Sequence, residues 1–96
     1  MVRLQEWEIS GIKNSISKFI PNVRVFLYGS RVDDSKKGGD IDLLIYSDNL
    51  PDPGIKSKIL FAMYDAIGEQ KIDILYSTFA DESNFVLLVK EDAVEL

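Results

Sequence analysis

Asp40-Ile41-Asp42-Leu43-Leu44-Ile45-Tyr46 is the stretch on which the reading of the fold turns. Beyond Asp42 it is a near-continuous apolar run, the pattern of a strand buried on both faces. Its acidic start is the anomaly. Side chains alternate across a strand, so Asp40 and Asp42 project from one face while Ile41, Leu43 and Ile45 face the other way. Two carboxylates at the mouth of a buried strand repel each other, and an uncompensated buried charge costs several kcal/mol. Mg²⁺ or Mn²⁺, hard cations that prefer oxygen ligands, are the natural compensation.

Working outward, Val23 to Tyr28 (VRVFLY) is rich in β-branched and aromatic residues and runs straight into Gly29-Ser30, a strand meeting a tight turn. Residues 29 to 39 form a polar, glycine-bearing loop. Before them, Ile9, Ile12, Ile16 and Phe19-Ile20 recur at intervals of three and four, which predicts an amphipathic helix over Leu4 to Ile20, ended by Pro21. Gly11 weakens its first half. After the central strand, Ser47 to Gly54 is a loop by its turn chemistry. Ile55 to Ile67 repeats apolar residues at helical spacing and stops at Gly68. Lys71 to Tyr76 (KIDILY) predicts a third strand, and Asp81 to Lys90 a last helix capped by Asp81 or Ser83. Glu91 to Leu96 is too short to assign. The expected fold is a single α/β domain over residues 1–96, a small mixed three-stranded sheet with flanking helices.

Topology supplies the chemistry. A helix links the second and third strands, as in a crossover between parallel strands, and the Asp40-Asp42 pair and Asp73 both lie near the starts of their strands, so they would sit side by side. An antiparallel first strand brings the Gly29-Ser30 turn to the same corner. Gly29 lets the backbone approach a ligand, and Ser30 offers a hydroxyl and backbone N–H groups to phosphate oxygens. Arg31, Lys36 and Lys37 lie in the same loop; the lysines read more readily as a solvated loop tip. Tyr28, Phe26 and Tyr46 read as packing residues, and Trp7 as either core or partner contact.

Composition narrows the function classes. The chain has 96 residues, 46% hydrophobic and 28% charged, which fits one packed domain and not a catalytic domain plus a separate substrate-recognition domain. With neither cysteine nor histidine, thiol nucleophiles, disulfides, Cys/His zinc sites and imidazole acid–base chemistry are excluded. Eleven basic against sixteen acidic residues, a formal charge of −5, disfavour non-specific nucleic-acid binding. The N-terminus lacks a secretory pattern and no stretch reaches the length of a membrane span, so a cytoplasmic location is expected.

Gly29-Ser30, nine intervening residues, Asp40-Ile41-Asp42-Leu43 and a later Asp73 on a third strand resemble the DNA polymerase β nucleotidyltransferase superfamily, specifically its minimal, MNT-type members. The resemblance covers essentially the whole chain in element order. It implies that Asp40 and Asp42 ligate two Mg²⁺ ions, with Mn²⁺ as the alternative, and that Asp73 ligates the ion that activates the acceptor hydroxyl. It implies too that Ser30 contacts the β/γ phosphates, with Gly29 and Arg31 in the same nucleotide-binding turn. The implied reaction is in-line attack of a hydroxyl on the α-phosphorus of a nucleoside triphosphate, ATP foremost, releasing pyrophosphate. Members of this size are often encoded beside a HEPN-domain protein and act as antitoxins, some by transferring AMP to a tyrosine of that partner. Many members carry further arginines in the loop and a serine before the first aspartate, where this chain has Val32-Asp33-Asp34, Lys36-Lys37 and Gly39. Three readings follow: an enzyme modifying a partner protein, an antitoxin or nucleotide-binding subunit that neutralises its partner by contact alone, and, with least support, a transferase acting on a small molecule or RNA end. Homo- or hetero-oligomeric state is left open.

Overall fold

The computed structural model describes residues 4–29, 41–81 and 83–96. Its elements run in the order α1 (Glu6–Ser17), β1 (Arg24–Tyr28), β2 (Ile41–Ser47), α2 (Pro53–Ile67), β3 (Ile72–Thr78), α3 (Asn84–Glu91) and β4 (Val94–Glu95). The strands form one mixed sheet in the order β3-β2-β1-β4. β1 pairs antiparallel with β2, and β2 pairs parallel with β3 through the α2 crossover.

A small mixed sheet flanked by helices is what the sequence leads one to expect, but the sheet has four strands and not three. The fourth, β4, is two residues long and carries no periodicity of its own. It exists through its partner strand: Phe26 faces Glu95, Leu27 faces Val94, and the Leu96 N–H donates to the Val25 carbonyl at 2.9 Å. The Arg24 guanidinium grips Glu95 in a two-pronged ion pair, Nε to Oε2 at 2.9 Å and Nη2 to Oε1 at 2.7 Å.

β2 is the central strand, and every one of its residues except Asp42 is buried. Alternate residues Ile41, Leu43 and Ile45 join Val25, Leu27 and Ile72 beneath the two helices, against Ile12 and Ile16 of α1 and Ile59, Met63 and Ile67 of α2. The other face of the sheet carries a smaller core, Phe26, Leu44 and Tyr46 against Val86 of α3.

Local signals set the helix ends close to where the sequence puts them. Asp52 caps α2 by accepting from the Ile55 N–H at 2.8 Å, with Pro53 opening the first turn. Ser83, rather than Asp81, caps α3. Asp81 instead fixes the approach to that helix, accepting from the Ser83 N–H at 2.8 Å and the Ser77 hydroxyl at 2.7 Å. The Ser83 backbone N–H first, then the Ser77 hydroxyl, hold the Asp81 carboxyl below its ordinary range. This contribution is complete above the ordinary value of 3.8 and is lost as pH falls through the lower, folded-state value.

Gly11 has a packing reason. A Cβ there would stand 2.9 Å from Ile67 Cγ2 and 3.1 Å from Ala66 Cβ, so α1 crosses α2 through the missing side chain. Gly11→Val is expected to lower unfolding stability by about 1–3 kcal/mol through overpacking. Asp52→Ala should cost about 1 kcal/mol by loss of the cap. Urea denaturation checks both; each midpoint should fall with the slope unchanged.

Candidate active site

Register places the acidic residues. Asp42 is the second residue of β2 and Asp73 the second of β3, and in the parallel pairing they are direct partners, between Ile41↔Ile72 and Leu43↔Ile74. Their strands therefore hold the two Cα atoms roughly 4.8 Å apart, the spacing of neighbouring strands. On the other flank of β2, Asp42 faces Tyr28 of β1. Tyr28, Asp42 and Asp73 thus form one row across three strands, on the face opposite the main helical core. Asp73 is exposed, while Asp42 and Tyr28 are half-buried.

Gly29 follows Tyr28 and turns the chain away from the sheet with φ 77°, a left-handed conformation that side chains other than glycine rarely take. A Cβ on Gly29 would collide with Oδ2 of the Asp42 carboxylate. The glycine is required twice, by its backbone angle and by the carboxylate packed against it. Of the residues expected to build the site, the structure brings Gly29, Asp42 and Asp73 to one corner. Asp40, Ser30 and Arg31, together with Lys36 and Lys37, lie outside the described residues. Among the described residues no group of three or more His, Cys, Asp or Glu side chains gathers as a metal site, Asp40 not being among them.

Tyr28 is the residue that sequence reading assigned only to packing. Burial first, then the charges of Asp42 and Asp73, push its phenol above the ordinary tyrosine value. It is a neutral hydroxyl beside two carboxylates. Alternation puts Phe26 and Tyr28 on one face, and only the register joins that face to Leu44 and Asp42.

The arrangement can do two things. Paired carboxylate oxygens in a chain without thiol or imidazole donors suit a hard divalent cation, and the close-packed glycine turn suits the approach of a phosphate group.

Comparison with known proteins identifies the family and the fold. The nucleotidyltransferase domain family matches residues 9–95, and the chain belongs to that family. Among solved structures it is similar to a chain in the complex of a tri-AMPylated Shewanella oneidensis HEPN toxin with its MNT antitoxin. The TM-score is 0.65 at 15% identity, over 96% of this chain and 71% of that one. At that identity the likeness is one of fold. No curated protein sequence matches the chain. No helix among the described residues is long and apolar enough to cross a membrane.

Two measurements test the corner. Gly29→Ala should lose about 1–2 kcal/mol of stability from its backbone angle alone, with a further loss from displacing the Asp42 carboxylate, read from urea midpoints. Asp42→Asn should lower the Tyr28 titration midpoint while leaving it above about 10, the unperturbed value, because burial is the larger cause. Ultraviolet titration against a Tyr28→Phe control reads that shift.

Proposed function

We propose that this chain is a metal-dependent nucleotidyltransferase that moves AMP from ATP to a hydroxyl on a HEPN-domain partner and acts as that partner's antitoxin. The observation that carries the reading is the register pairing of Asp42 with Asp73 beside the Gly29 turn. Membership of the nucleotidyltransferase family supports the reaction class. The similar fold in a complex described as an AMPylated HEPN toxin with an MNT antitoxin supports the acceptor and the biological role.

In this reading Asp40, Asp42 and Asp73 hold two Mg²⁺ ions, with Mn²⁺ able to substitute. Bound there, the ions supply Lewis acidity to the attacking and leaving oxygens. Gly29, Ser30 and Arg31 take the triphosphate, the glycine by letting the main chain approach closely and the other two by hydrogen bonding and charge. The acceptor oxygen forms a new bond to the α-phosphorus, the bridging α–β bond breaks, pyrophosphate leaves, and the acceptor proton passes to solvent. Tyr28, a neutral donor in the same row, is placed to orient a carboxylate oxygen.

The second reading, a subunit that neutralises its partner by contact with the site used only to bind nucleotide, is favoured by one feature. Asp33 and Asp34 put negative charge in the loop meant to receive a triphosphate.

Asp42→Asn separates the two. It removes a ligand charge and relieves the repulsion with Asp73, so the fold should hold while transfer falls by ~100-fold or more, a barrier increase of about 3 kcal/mol. The measurement is the intact mass of the co-purified partner after incubation with Mg²⁺ and ATP. Wild-type transfer by the variant would sink the mechanism. Full protection of cells by a variant that no longer transfers would establish neutralisation by contact.

A further inference from the structure

The acidic row presents a charge problem to the proposed reaction. Asp42 and Asp73 are in register on neighbouring strands, and the sequence adds Asp40 just before Asp42. Such a corner attracts a bare dication. It repels a nucleoside triphosphate, and it still repels the triphosphate carrying one dication, because that complex remains a net anion. Carboxylates alone would therefore favour free metal over the metal-bound nucleotide that the reaction consumes.

The described basic residues are spread unevenly about the sheet. Those of α1 and α2 belong to the helical layer, on the side of the sheet opposite the row. On the face of the row itself, Arg24 is engaged by Glu95, and Lys90 stands over the Phe26 and Tyr46 rings, both towards the far end. Among the described residues the remaining cation is Lys71.

Lys71 immediately precedes β3. Its carbonyl accepts from the Ile41 N–H at 3.1 Å, the bonding pattern of the Ile41↔Ile72 pair, so strand geometry extends back to it. Ile72 and Ile74 pack into the main helical core, and alternation carries Lys71 and Asp73 to the other face. Both are exposed. Two positions of strand separate their Cα atoms by about 6.6 Å. Two strand spacings, about 10 Å, separate Lys71 from the Gly29 turn on the β1 side, so it acts on the row by its charge and not as part of that turn.

We propose, on the metal-dependent reading above, that Lys71 is a specificity-determining residue that makes the corner prefer a metal–nucleoside triphosphate complex over the free metal ion. A positive charge one step along the strand from Asp73 opposes entry of a bare dication and favours an anionic complex. One residue thus moves the two affinities in opposite directions. That pattern separates it from a structural role, since losing a side chain that merely held Asp73 in place would weaken both.

The experiment measures two dissociation constants at low ionic strength: for Mn²⁺ alone, by electron paramagnetic resonance, and for the Mn²⁺ complex of a non-hydrolysable ATP analogue, by calorimetry. A unit charge about 7 Å away in water changes the affinity of a doubly charged species by about 5–10-fold. Lys71→Met should bind Mn²⁺ alone more tightly by that factor and the complex more weakly by the same factor. Lys71→Arg keeps the charge and should match the parent in both. Added salt should shrink both differences, because charges at an exposed site are screened. Binding of neither probe by the parent would overturn the metal-dependent reading and this assignment with it. Binding of both by the parent, with shifts in Lys71→Met that are not opposite in sign, would overturn the assignment alone.

Discussion

The alternation of side chains along β2 is the constraint on which the rest depends. Ile41, Leu43 and Ile45 face the helices, and Leu44 and Tyr46 face α3, so the strand is saturated with apolar contacts on both sides. Only Asp42, near the start of the strand, breaks the pattern. A slip of one residue would drive that carboxylate beneath α1 and α2 and turn three core residues out, so the register is specified by burial. The position of Asp42 along the strand is therefore set by the core residues on either side of it.

The face that carries the site changes character along the strands. Tyr28, Asp42 and Asp73 make the first row; Phe26, Leu44 and Leu75 the second; Arg24, Tyr46 and Ser77 the third. In the third row Tyr46 and Ser77 are buried, while Arg24 is exposed. Phe79 stacks on Tyr46 with ring centroids 6.0 Å apart, and the Lys90 ammonium stands 5.2 Å from the Tyr46 ring and 5.8 Å from that of Phe26. Cationic and aromatic groups thus close one end of the face, and the acidic row occupies the other.

Much of this was legible in the sequence because the signals were local. The apolar run after Asp42 marked a central strand, helical spacing marked α1 and α2, and the position of the paired aspartates and of Asp73 near their strand starts put them at one corner, while the pairing of Asp42 with Asp73 came from the register. What was not legible depended on distant partners. β4 consists of two residues whose strand conformation is supplied by β1 and by an ion pair spanning 71 positions of sequence. Gly11 looked like a weak point in a helix because its value lies in the Ile67 side chain that packs where its own would be. Tyr28 looked like packing because a tyrosine on a strand usually is; only the cross-strand register shows that its neighbours are carboxylates.

β3 combines two demands that pull in opposite directions. Its inner flank must bring Asp73 into register with Asp42, which calls for a long, well-paired strand without bulges, and such a strand leaves an equally long outer edge.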